Sequence, residues 1–273
     1  DTINVVLDQC ESYLYRTDKG RVSLTGTTIC STEPLAVYQG GQLSKISSKG
    51  SSSHICTQSI PTDAWGRKYI VTQTKGNSKD VIRITAAEEN TKVYKNNEET
   101  PVAVLQPLET YEEFIDWSIH TSGSVVYTSS RAVECYLYQT DDDHGAPTFT
   151  DLTPLESSIH RTLFTTFKYR YDEETEEELQ NFVNIVVPTY GVESVQLDGN
   201  FIPKEQFKKV NTKIDGVEYS YAQLSVSTGS HILHSATPFI AHVYGVANLS
   251  IGNITYSYSA GRNILHPAWI LID

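Results

Sequence analysis

Apolar and polar positions along this chain repeat mostly with the period of a β-strand. Ile82-Arg83-Ile84 alternates apolar and charged side chains, which turns one face of an extended segment inward and leaves the other to solvent. Val183 to Val187 is more continuously apolar, as suits a strand covered on both faces. Two such runs are followed by Asn96-Asn97 and Asp198-Gly199, residue types that tolerate positive φ and therefore predict tight hairpins. Helical periodicity is scarce. The stretch DEETEEELQNF, Asp172 to Phe182, concentrates helix formers, but its run of like charge reads as a solvated loop with one helical turn at most. An all-β fold follows.

One phrase occurs three times. GTTICSTEPLAVYQGG begins at Gly26, GSVVYTSSRAVECYLYQT at Gly123 and GSHILHSATPFIAHVYGV at Gly229. Each reads as a glycine, a short run, a serine, a break, and a β-branched and aromatic run leading to tyrosine. Around the last two the match extends upstream: Val81 aligns with Phe182, Ile84 with Ile185, Val93 with Val195, Asn96-Asn97 with Asp198-Gly199 and Ser129 with Ser235. The slowly drifting offset is the mark of duplication with small loop insertions. The expected architecture is two tandem antiparallel β-sandwich modules, jelly-roll-like, each of about seven or eight strands, over roughly 46–145 and 146–246. Residues 1–45 and 247–273 are expected to complete the sheets, giving domains 1–145 and 146–273 in a single rigid body.

Composition narrows the class of partner. The 273 residues are 39% hydrophobic, include 17 tyrosines and carry a formal net charge of −12. That charge argues against nucleic acid, because phosphate recognition needs clustered Lys and Arg. No apolar run approaches the ~20 residues of a membrane-spanning helix, so membrane insertion by this segment is not expected. The chain contains no methionine, which reads as a processed product or an excised domain. Cys10, Cys30, Cys56 and Cys135 are an even set without C-x-x-C spacing; disulfides in any of three connectivities compete with buried thiols. Asn248-Leu-Ser and Asn253-Ile-Thr are N-glycosylation sequons and, with the cysteines, favour an extracellular location.

Candidate chemistry is sparse. No nucleophile elbow, phosphate-binding loop, dinucleotide fingerprint or H-E-x-x-H is present, so neither catalysis nor a cofactor is expected. Asp141, Asp142 and Asp143 offer hard oxygen ligands for Ca²⁺, yet lack the alternation of an EF-hand loop and read more simply as an acidic linker. His231, His234 and His242 do not share a strand face once Pro238 breaks the register, so a metal site is disfavoured. Trp65 is the most distinctive aromatic, either a plug at the base of a module or a ligand platform. Trp117, Tyr111 and Tyr256 are further stacking candidates if the ligand is a carbohydrate.

The order of these features resembles a known family. STEPLAVYQG, then His54, Gln58, Pro61 and Trp65-Gly66 spaced as H-x-x-x-Q-x-x-P-x-x-x-W-G, then RITAAEENTKVY, FVNIVVPT, VQLDG, HVYG and YSYSAG together resemble the IgGFc-binding protein N-terminal domain family, from about Gly26 to Gly261. The resemblance implies a non-catalytic binding or adhesion module of secreted or cell-surface proteins, some of them mucus-like and carrying von Willebrand factor D domains. The expected partner is a protein or glycoprotein, such as a mucin-like or matrix component; immunoglobulin is not implied. Members commonly carry a cysteine pair around the loop where Ser52 and Ser53 stand here, so by the resemblance Cys56 would pair with Cys30 instead, leaving Cys10 and Cys135. Two other readings remain open at this point, a carbohydrate-binding or carbohydrate-active jelly roll and a structural spacer in a large surface protein.

Overall fold

The computed structural model describes residues 2–17, 23–46, 52–76, 78–120, 122–140, 146–168, 179–249 and 252–264. The described residues before Tyr38 form no strand. β1 (Tyr38–Ser44) and β2 (Ser53–Gln58) then pair as an antiparallel hairpin. A seven-stranded sheet follows, made of β3 (Gly66–Thr72), β4 (Lys79–Ala86), β5 (Thr91–Lys95), β6 (Ala103–Leu105), β7 (Thr110–Asp116), β8 (Ser124–Thr140) and β9 (Thr148–Asp151). An eight-stranded sheet completes the chain with β10 (Ile159–Thr166), β11 (Gln180–Pro188), β12 (Gln196–Leu197), β13 (Asn200–Phe201), β14 (Phe207–Lys209), β15 (Tyr219–Val226), β16 (Gly229–Leu249) and β17 (Gly252–Ser259). Helix among the described residues is limited to short 3₁₀ segments. The expectation of two antiparallel all-β modules of seven or eight strands is met.

The repeated phrase is the hinge of each sandwich. The first half of β8 pairs with β3 and β5, whereas its second half pairs with β4 and β9. β16 does the same: its first half pairs with β10 and β12, its second with β11 and β17. Each long strand thus leaves one layer and enters the facing one, and the register slips where it bends, between Thr128 and Val133 in β8 and between His234 and Phe239 in β16. Serine hydroxyls serve the bends locally, with Ser129 donating to the Arg131 carbonyl at 2.6 Å and Ser235 accepting from the Thr237 amide at 3.1 Å. The hairpin turns also match, since Asn96 and Asn97 have φ of 51° and 60°, and Asp198 and Gly199 have 52° and 81°.

The copy at Gly26 behaves differently. Only its end enters a strand, β1, whose single neighbour is β2; with no second layer to join, the phrase has nothing to bend between. The hairpin joins neither large sheet by strand pairing, where residues 1–45 were expected to complete the sheets, but covers one face of the first through Ile55, which packs with Val81, Tyr136, Tyr138 and Phe149. At the other end β17 does complete its sheet, beside β16. Of the acidic stretch, residues 172–178 lie outside the described residues and Gln180 to Phe182 begin β11.

Inward residues of the bent layers form a core in each module. Ile82, Ile84, Val125, Tyr127, Cys135 and Leu137 belong to the first, and Val183, Ile185, Leu233, Phe239, Ala241 and Val243 to the second. The alternate residues pack the modules together: Ile70 and Val126 from the first meet Val186, Val210, Ile214, Tyr221 and Ile240 from the second. This explains the continuous apolar run in β11, which is buried on both faces.

Candidate functional site

The sequence-derived binding candidates scatter. Trp117 is a member of the first core, 4% exposed, and its indole N–H donates to the buried Asp80 carboxylate at 2.8 Å, so its ring presents no open face to a ligand. Tyr111 is half-buried and donates to Glu113 at 2.9 Å; Tyr127 donates to the same carboxylate oxygen at 2.7 Å and Lys95 pairs with the other at 2.5 Å. Tyr256 is half-buried, donating to Asn181 at 2.6 Å with its ring edge-on to Phe167. Trp65 is half-buried after a 3₁₀ turn and donates to the Ile60 carbonyl at 3.1 Å. Its neighbour Gly66 sits where a Cβ would overlap Pro154 of the second module, so the Trp-Gly pair marks a module contact.

Asp141, Asp142 and Asp143 lie outside the described residues. Among the described residues no three metal-ligating side chains gather. His231 is held by the Asp198 carboxylate at 2.7 Å and the Ser227 carbonyl at 2.9 Å, and His242 is buried against the Ser257 hydroxyl at 2.5 Å. The backbones of Asn248 and Asn253 stand directly opposite each other in the β16–β17 hairpin. All four cysteines are free thiols in the structure. For Cys135 the disulfide expectation is corrected: it faces inward from β8 into the first core, where burial pushes its thiol pKa up and keeps it away from the exposed Cys10, Cys30 and Cys56.

Two polar centres were not read from the sequence. Beneath the β1–β2 hairpin, Tyr136 donates to Glu134 and accepts from Gln39 of β1, while Arg262 pairs with Asp151 close by. Burial pushes the Glu134 carboxyl up to about 7, against the pull of its Tyr136 hydrogen bond and the Arg262 charge. Between the modules, the Tyr244 hydroxyl accepts from the Lys75 amide at 2.8 Å and the Gln223 amide at 3.0 Å, and donates to Asn184 at 3.2 Å. Asn184 in turn donates to Thr72 and to the Gln73 carbonyl. Both centres join segments far apart in sequence, so no local spacing announces them.

The largest departure from an ordinary soluble surface is at the start of the chain. Val6 is 92% exposed, Leu14 83%, Leu43 74% and Tyr38 68%, and Ile3, Tyr13, Tyr15, Ile29 and Leu35 are also exposed. On β2, His54, Cys56 and Gln58 share the outward face, because they are spaced by two and the intervening Ile55 is buried. The H-x-x-x-Q spacing therefore describes one exposed strip of the hairpin.

Comparison with known proteins agrees with this sequence pattern: the profile of the IgGFc binding protein family matches residues 1–245. The chain belongs to the IgGFc binding protein family. A human relative, IgGFc-binding protein, is 21% identical over 249 residues, which cover 90% of this chain and 4% of that protein. The chain thus spans only a small part of the length of that relative. A solved structure of an anti-sigma factor domain-containing protein aligns over 68% of this chain and 80% of its own at 7% identity, with a TM-score of 0.19, too low to bear on the fold. For the IgGFc binding family member described here, the exposed strip with His54 and Gln58 and the Trp65-Gly66 contact are parts of one continuous stretch that leads from the hairpin into the first sheet.

Proposed function

We propose that this chain is a non-catalytic interaction domain of an extracellular or cell-surface protein, binding a protein or glycoprotein such as a mucin-like or matrix component. The observation that carries the reading is the apolar exposure among the described residues 2–17 and 23–43: Val6, Leu14, Tyr38 and Leu43 lie open to water on segments that the two cores do not use. Exposed apolar side chains collected on one segment are the usual footprint of a protein contact, because isolated monomers rarely tolerate large patches of this kind. Family membership supports the same direction, as does the human relative's name, which describes binding to another protein. The sequons at Asn248 and Asn253 favour a secreted setting.

The test uses the purified domain against immobilised mucin and immobilised IgG Fc as separate analytes in biolayer interferometry. Saturable binding to either, lost in Leu14→Ser/Leu43→Ser with the melting temperature unchanged, is the expected result. Binding that survives both serines, or no binding to either analyte, would overturn the assignment of this surface.

A further inference from the structure

Strands β1 and β2 cover a polar cluster that holds one carboxylate more than it has cations. On one face of β8, Glu134, Tyr136 and Tyr138 follow one another at alternate positions. Asp151 of β9 stands opposite Tyr136, and Phe149 opposite Tyr138; on the other side β4 places Arg83 opposite Tyr136. The Tyr136 hydroxyl joins this face to β1, donating to the Glu134 carboxylate and accepting from Gln39 at 2.5 Å. The backbone amide of Ile60, just beyond β2, hydrogen-bonds to the same carboxyl.

The charges on this face can be paired off one by one. Arg83 is taken by Glu112 of β7 at 2.6 Å and lies over the Tyr138 ring. Arg262, beyond β17, is taken by Asp151. Tyr69 of β3 is buried and donates to the Val133 carbonyl at 2.6 Å, while Cys135 points the other way into the first core. Glu156 of the 3₁₀ turn Leu155–Ser157 is exposed and accepts from the Arg67 amide at 3.1 Å. From the covering side, Tyr38, Lys45, His54 and Cys56 are all exposed. Glu134 is therefore the carboxylate left over, sharing the field of an Arg262 already bonded to Asp151. Protonated, it leaves the cluster neutral. Ionised, it is a half-buried charge for which water is the available solvation.

The cover above this carboxyl is lightly fastened. β1 and β2 pair only with each other, so Gln39, the Ile60 amide and the packing of Ile55 on Val81, Tyr136, Tyr138 and Phe149 hold them down. Lifting them breaks no ladder hydrogen bond of either large sheet, which places the motion at the low-energy end of local opening.

We propose that the β1–β2 pair is a pH-gated cover, docked on the first sheet while Glu134 is protonated and released when Glu134 ionises, which uncovers the apolar face of Val81, Tyr138 and Phe149. The sign follows from the raised Glu134 pKa, about 7 against an ordinary 4.5: the docked state holds the proton, so docking is fully favoured below 4.5 and weakens as the pH climbs through 7. The device does not rest on the partner surface proposed above.

The test is amide hydrogen exchange of the whole chain at pH 5.5 and pH 8.0, with rates corrected for the intrinsic effect of pH. Protection of the β1 and β2 amides should fall by roughly ten- to thirtyfold between the two, with β4 and β11 remaining far better protected at both. Glu134→Gln, neutral throughout, should keep β1 and β2 protected at pH 8.0. Ile55→Ala, which removes packing but no charge, should lower their protection at both pH values and leave the ratio between them as in the parent. The proposal is overturned if the parent shows equal protection at the two pH values, or if Glu134→Gln loses protection at pH 8.0 as the parent does. It is also overturned if β4 and β11 lose protection in step with β1 and β2, which would be unfolding of the whole molecule.

Discussion

Half-buried Glu134 and buried His242 titrate in opposite senses and contribute opposing slopes to the pH dependence of stability. Burial lowers the His242 pKa from 6.5 to about 4, so between those values the unfolded chain holds the extra proton and stability rises with pH. Burial raises Glu134 from 4.5 to about 7, so there the folded chain holds the proton and stability falls with pH. Each effect reaches roughly 1–3 kcal/mol across its window, and in the parent protein the two largely cancel between pH 4.5 and 6.5. Glu134→Gln should therefore expose the histidine slope, with urea midpoints climbing from pH 4.5 to 6.5. His242→Gln should expose the glutamate slope, with midpoints dropping up to pH 7. Parallel profiles for the parent and Glu134→Gln would show that Glu134 is not held protonated. Glu134 did not stand out in the sequence and His242 was weighed only as a metal ligand, because the burial that shifts each comes from segments distant in the chain: Glu134 lies beneath the β1–β2 hairpin, and His242 lines a cleft with Ile70 and Leu137 of the first module. Trp117 shows the converse, since its type suggested a ligand platform while its partner Asp80, 37 positions away, places it in the core.

At the level of elements, glycines at two positions do different work, and their substitution separates backbone strain from packing. Gly216 has φ of 79° with nothing near its missing Cβ, so Gly216→Ala should cost only the left-handed conformation, about 1 kcal/mol. Gly66 lies against the Cβ of Pro154, so Gly66→Ala should cost about 1–3 kcal/mol of overpacking and be partly restored by Pro154→Gly, which removes that carbon. Chemical denaturation of the two double variants decides the matter. Gly216→Ala should add to Pro154→Gly, Gly66→Ala should not, and additivity in both cases would remove the contact. The long bent strands were legible because their sequences keep β character on either side of a serine-marked break. Their role as carriers from one layer to the other was hidden, since pairing partners are not written in the strand itself. The first strands of the modules went unmatched for a related reason: six residues (73–78) separate β3 from β4, and thirteen (167–179) separate β10 from β11. The longer connection contains the acidic stretch and shifts the alignment just where the repeat begins.

As a whole molecule the two modules should behave as one cooperative body, although their sequences read as separable repeats. Seven apolar residues shared across the junction, at ~1.5–3 kcal/mol each, represent on the order of 10 kcal/mol of burial before ordering costs. The polar clasp at Tyr244 and Asn184 satisfies groups that would otherwise be buried unpaired. The sharpest consequence concerns the proposed boundary at 145/146. β9 follows that boundary in sequence yet pairs with β8, and its Asp151 carbonyl accepts from Ser259 at 2.5 Å while Ala146 accepts from Thr255 at 2.9 Å. A protease site introduced at 145/146 would thus leave β9 on the C-terminal fragment while its hydrogen-bond partner stays on the N-terminal one. After cleavage both fragments should elute together on gel filtration, separate only in denaturant, and melt in a single transition by calorimetry. Two fragments that part in native buffer and each retain a β-rich circular dichroism spectrum would mean that the modules are independent.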